Sequence, residues 1–242
     1  MLLTGLLALA AAGGCAGWVK AANVQLVSQT DGSVRVDLTL TGDRSPPRCE
    51  ILGPSIRATV DGQPLQVRGR GSLYRGTVIS GVEITPPHKC NGMAWFESIT
   101  LSPSPPGTPT SIVIEDGPRK LELTAMNVRA LHRVEVVGAP EAAPGSTVTV
   151  RVTPEGDPPL PPSDKMEITF HDDKGHSAVV PAKQIRLQGR SASFALPALA
   201  QGRYKLAFLV PDAPLRVTRC DGVPACKVVR FLSPDETELT VR

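Results

Sequence analysis

Five cysteines and one histidine–aspartate cluster are the residues of this chain whose types and spacing could do chemistry. Cys15 ends an apolar run, which leaves Cys49, Cys90, Cys220 and Cys226 as an even set. In an exported chain an even set reads as a disulfide framework, and four cysteines allow three connectivities. Nearness along the chain favours Cys49–Cys90 and Cys220–Cys226. Zinc fits poorly, because its sites usually draw on a short C-x2-4-C pair. Five residues separate Cys220 from Cys226, and no histidine lies beside them. His171-Asp172-Asp173-Lys174-Gly175-His176 places two imidazoles around two carboxylates, a conceivable metal set. Asp-Lys-Gly between alternating runs is the chemistry of a turn, and no calcium loop of the D-x-D-x-D-G form occurs. No metal site and no cofactor is expected.

Gly69-Arg70-Gly71-Ser72 and Gly76, interleaved with Arg68 and Arg75, form a second cluster. A phosphate cradle needs a strand before such glycines and a helix N-terminus after them. No helix-forming run follows, so the stretch reads as a basic loop able to touch an anionic surface. Neither a G-x-S-x-G elbow nor H-E-x-x-H occurs, and His88, His132, His171 and His176 are scattered. No catalytic residue is assigned, and the chain is read as non-enzymatic. Trp95, within Met93-Ala94-Trp95-Phe96, has apolar neighbours and is expected to anchor a core. The competing role is an exposed platform on which a sugar ring stacks.

The elements that hold these residues follow from composition and pattern. At 242 residues the chain is long enough for one large or two ordinary domains. Its 22 glycines and 24 prolines exclude long helices, since proline removes a helical donor and glycine costs about 1 kcal/mol per site. Net charge is +3 with no long run of either sign. That argues against a nucleic-acid partner, which would need a clustered basic face. Val34, Val36, Leu38 and Leu40 alternate with Arg35, Asp37, Thr39 and Thr41, the two-residue period of a half-buried strand. Similar runs recur at Ile56 to Val60, Met93 to Leu101, Ser111 to Ile114 and Lys120 to Thr124. In the second half they recur at Val148 to Val152, Met166 to Phe170 and Gly202 to Phe208. Asp61-Gly62 and Asp116-Gly117 are hairpin turns. Short strands bounded by turn chemistry predict antiparallel sandwiches.

Two resemblances add to this. Leu2 to Ala12 are almost all Leu and Ala, closed by Gly13-Gly14, which is the pattern of a secretory signal. Leu9-Ala10-Ala11-Ala12-Gly13-Gly14-Cys15 resembles the lipobox of bacterial lipoproteins. That resemblance implies that residues 1–14 are removed, that Cys15 carries lipid including palmitate, and that residues 15–22 are a tether. A plain secreted protein cut nearby and an uncleaved anchor are the alternatives. Gly202-Arg203-Tyr204-Lys205-Leu206 is similar to the G-x-Y-x-L/V strand of immunoglobulin-like and fibronectin-type sandwiches. It implies a tyrosine corner at Tyr204, whose hydroxyl would bond back to the backbone. Leu206 stands where an antibody domain has its second cysteine, so the similarity is to the broad sandwich class.

The expected molecule is all-β, with two tandem antiparallel immunoglobulin-like sandwiches at residues 23–128 and 129–242 behind the signal and tether. A short linker is expected near Ala125 to Leu131. Its expected role is that of a non-enzymatic envelope lipoprotein, an interaction or scaffold module held at the inner or outer membrane through Cys15. It would meet a protein partner through loops Asp43 to Pro54, Arg68 to Asn91 and Thr153 to Asp164, or through edge strands. The alternative is a module binding carbohydrate or peptidoglycan, which requires exposed aromatics on a sheet face.

Overall fold

The computed structural model describes residues 19–29, 32–44, 48–74, 78–79, 82–83, 89–232 and 237–242. The N-terminal apolar run with Cys15, and also Arg75, Gly76 and His88, lie outside the described residues. The chain is all-β, and among the described residues the one helical element is a 3-10 turn, Ala182–Gln184. The strands of three or more residues begin with β1 (Ala21–Ser28), β2 (Val34–Thr41), β3 (Arg57–Val60), β4 (Val67–Gly69), β5 (Met93–Phe96) and β6 (Ile99–Leu101). They continue with β7 (Pro109–Asp116), β8 (Arg119–Met126), β9 (Arg133–Val136), β10 (Thr147–Thr153), β11 (Glu167–His171) and β12 (Ser177–Pro181). The last are β13 (Arg186–Gln188), β14 (Ser191–Ala195), β15 (Gly202–Pro214), β16 (Val217–Asp221), β17 (Ala225–Leu232) and β18 (Thr237–Val241).

Alternation decides which side chains meet. On β2, Val34, Val36, Leu38 and Leu40 are buried, while Arg35 is exposed. On β7 and β8, Ile112, Ile114, Leu121 and Leu123 are buried in the same rhythm. Removing each such side chain from water is worth roughly 1.5–3 kcal/mol, so the period itself selects the inward face. Turn chemistry sets the register. After β3, Asp61 (φ 47°) and Gly62 (φ 78°) both take the left-handed backbone that a two-residue hairpin requires. Met93 to Leu101, expected as one strand, is two, because β5 and β6 break at Glu97–Ser98 and each pairs with β2.

The largest sheet runs in the order β18, β15, β17, β1, β2, β5, β4, with β6 also on β2 and β11 on β15. A second sheet, β16–β8–β7–β3, supplies the other inward side chains of the first core. A third, β9–β10–β14–β13, does the same for the second core. Most pairings are antiparallel, but β1 and β17 run parallel, and so do Glu141–Ala142 and β18.

Hydrogen bonding and packing do not stop at residue 128. Leu215 and Val228 pack in the first core, and β16 pairs with β8. Strand β15 spans both regions: its first half pairs with β11 and β18, and its end, Val210 to Pro214, pairs with β17. Most of the segment expected as a linker packs inward, with Ala125, Asn127, Val128 and Ala130 buried and Leu131 exposed. Cys49 is bonded to Cys90 and Cys220 to Cys226, the pairing that chain proximity favours.

Candidate functional site

Trp95 does not anchor a core. It is 38% exposed, whereas its neighbours Ala94 and Phe96 are buried. The physical reason is the strand period: inward positions of β5 fall on Ala94 and Phe96, so Trp95 must face out. Its parity was readable in Met93-Ala94-Trp95-Phe96, where only one alternating set can point inward. Across the ladder Trp95 stands opposite Thr39 on one side and Gly69 on the other. The indole covers Gly69 so closely that a β-carbon there would lie 2.5 Å from Cε2 and Cζ2. One side of the ring therefore rests on backbone, and the rest meets solvent. Met93, on the same face, is 43% exposed.

From Trp95 the register carries a row of polar side chains across the sheet. Thr39 on β2 lies opposite Asn23 on β1, and Asn23 lies opposite Lys227 on β17. One step along, Asp37, Gln25 and Val229 form a parallel row. These side chains and Asp212 line a shallow groove of about 160 Å³. Asp37 is held in place, accepting from Ser98 Oγ at 2.5 Å and Arg35 Nε at 3.3 Å. The groove shares Asp212, Lys227 and Val229 with a hollow of about 370 Å³ that reaches Pro161, Pro162 and Ser163. An aromatic plate beside amide, hydroxyl, carboxylate and ammonium groups offers both stacking and hydrogen bonding to one extended ligand.

Sequence reasoning missed a buried polar cluster where β15 and β17 pass from one core to the other. Arg230, 2% exposed, donates to the carbonyls of Val128 (3.2 Å) and Ala130 (3.0 Å) and to Ser28 Oγ (3.1 Å). Its Nη1 lies 2.8 Å from His132 Nδ1. The same Nδ1 lies 2.9 Å from the Ala130 carbonyl, and Nε2 lies 3.3 Å from Asp157 Oδ2, so the ring is held at both nitrogens. Asp157 Oδ1 also accepts from Asn127 Nδ2 at 3.1 Å. Burial holds the His132 pKa below its ordinary value and pushes Arg230 down to about 10. The arginine stays charged at neutral pH. With His132 and Asp157 side chains 1% and 0% exposed, this cluster is a sealed joint and not a place for a ligand. Its members span residues 28 to 230, and no local pattern announces it.

The remaining candidates resolve simply. Tyr204 is buried in the second core, but among the described residues its hydroxyl has no backbone partner, so the corner bond expected from the resemblance is not formed. Its place on β15, opposite Leu239, is that of a core side chain. His171 to His176 is a hairpin tip, where Asp172 accepts from the amides of Lys174 (3.0 Å) and His176 (2.8 Å) and from His176 Nδ1 (2.7 Å). The His176 bond holds the Asp172 carboxyl below the usual carboxylate range. Among the described residues no group of three or more His, Cys, Asp or Glu could hold a metal ion. No described helix is long and apolar enough to cross a membrane.

No protein-family description matches the chain. No curated protein matches it either. Solved structures do show a remote likeness. One is SGBP-B of the Bacteroides ovatus mixed-linkage glucan utilization locus, in complex with a mixed-linkage heptasaccharide, at 10% identity and a TM-score of 0.25. The match covers 87% of this chain and 53% of that one, so the chain spans about half that structure's length. Another is the human OSCAR ligand-binding domain, at 14% identity and a TM-score of 0.27, covering 87% of this chain and 98% of that one. At these scores the binding face is read from this chain's own geometry.

Proposed function

We propose that this chain is a non-enzymatic binding module of the bacterial cell envelope, tethered by lipid on Cys15, whose open sheet face takes a carbohydrate. The observation that carries the ligand class is Trp95, seated on Gly69 and open to solvent beside the row Thr39, Asn23 and Lys227. A hydrophobic core gains nothing from a tryptophan left outside it. A sugar-binding surface does, because the apolar face of a pyranose covers the ring while its hydroxyls reach amide and carboxylate neighbours. The two disulfides support an extracytoplasmic location, since such bonds persist in oxidising compartments.

Affinity electrophoresis through gels containing soluble polysaccharides or peptidoglycan fragments tests this reading. At least one glycan should retard the full chain, and Trp95→Ala should lose about tenfold or more in affinity with its thermal midpoint nearly unchanged. Retardation by no glycan, or equal retardation of the variant, would count against it.

A further inference from the structure

A second concavity lies at the end of the molecule where the chain enters its first strand. It has a volume of about 790 Å³, and its lining includes Arg44, Arg48, Arg70 and Arg119 against two carboxylates, Glu50 and Asp116. Asp116 is committed, its Oδ2 accepting from the Gly53 amide at 3.0 Å. Arg44, Arg48 and Arg70 are exposed, and among the described residues none has an ion-pair partner. The cleft is fixed to the chain's point of entry. Lys20 donates its amide to Thr41 at 2.7 Å and pairs through its ammonium with Asp43, the residue before Arg44. The Cys49–Cys90 bond and the Ile51 amide, 2.6 Å from the Arg70 carbonyl, hold the other rim.

We infer that this arginine cleft faces a membrane and binds the phosphate-bearing headgroups of its anionic lipids. The inference rests on the proposed tether at Cys15. Cys15 lies four chain steps before Val19, and covalent geometry lets those steps span at most about 14 Å. A lipid on Cys15 thus brings this end of the molecule close to the headgroups, near the reach of about 8 Å over which charge acts in physiological salt. The arginine fork matches a phosphate with two parallel hydrogen bonds. Among the described residues no carboxylate pairs with Arg44, Arg48 or Arg70, so the surface charge can draw them.

The test uses the full chain as Cys15→Ser, so that no acyl group masks a weaker contribution. Its partition is measured by flotation on vesicles of phosphatidylcholine alone and of phosphatidylcholine with an equal part of phosphatidylglycerol. The neutral vesicles give the baseline set by the N-terminal apolar run. The anionic vesicles should bind the chain more tightly, and one basic residue near such a surface is worth about fivefold. Triple replacement of Arg44, Arg48 and Arg70 by Ala should therefore cut the anionic-to-neutral ratio on the order of a hundredfold. The triple Lys replacement controls for folding and should keep most of the ratio. A parent ratio near one, an unmoved ratio in the Ala triple, or an equal loss in the Lys triple would overturn the inference. Mass spectrometry of the unmodified chain's N-terminus reads the tether separately. An acylated Cys15 with an unmoved ratio overturns the arginine role alone, whereas an unacylated Cys15 overturns the tether and the orientation drawn from it.

Discussion

At the scale of single residues, the chain separates side chains that hold the molecule from those that meet a ligand. Gly69 and Trp95 belong to the second kind. A methyl at Gly69 would collide with the indole, and because the ring is exposed it can swing away. Gly69→Ala should therefore change stability by less than about 1 kcal/mol yet weaken glycan binding, which melting curves and affinity electrophoresis would separate. Arg230 belongs to the first kind. Arg230→Ala removes the guanidinium that donates to the carbonyls of Val128 and Ala130 and to Ser28 Oγ. The expected loss is about 3–5 kcal/mol in denaturant unfolding. His132 adds a pH dependence whose sign is fixed by burial. Its folded pKa lies below the unfolded value of about 6.5, so the unfolded chain binds more protons just under that pH. Stability contributed by the neutral ring is complete above about pH 6.5 and is lost as the medium is acidified towards the folded pKa. His132→Gln should flatten that part of the melting-temperature profile; an unchanged slope would refute the assignment.

At the scale of elements, the sequence displayed its strands far better than their partners. The rhythm of residues 34–41 announced both β2 and its buried face, because a two-residue period is a local property. The parallel pairing of β1 with β17 joins residues some 200 positions apart, and nothing in either strand names the other. Trp95 was misplaced for a related reason: apolar neighbours suggested a core, although strand parity alone decides which of them turns inward. The disulfides were legible because ring closure favours short separations. They should differ in worth. The Cys49–Cys90 ring, with a separation of 41, is worth about 4 kcal/mol in the chain-entropy account, and the Cys220–Cys226 ring, with a separation of 6, about 2 kcal/mol. Paired serine variants compared in urea should show that order. The reverse order would mean that the Cys220–Cys226 clamp, whose hairpin packs Gly222 against the Lys120 carbonyl, shapes more than its own loop.

At the scale of the whole molecule, the two cores share strands. Because β16 and β17 complete the sheets of the first core, a fragment of residues 19–128 lacks the neighbours of β1 and β8. The intact chain should melt in one calorimetric transition, with calorimetric and van't Hoff enthalpies in agreement; two resolved transitions would show that the shared strands do not couple the cores. The same sharing builds the ligand face, for Trp95 and Lys227 are 132 positions apart in the chain and are joined into one face only across β1 and β2. The most direct test of the central claim is a tryptophan-fluorescence titration of the full chain with a glycan that retards it in the gel. The account predicts a saturable change in indole emission that vanishes in Trp95→Phe, while binding by the phenyl variant persists more weakly. Tight glycan binding that leaves indole emission untouched would contradict it.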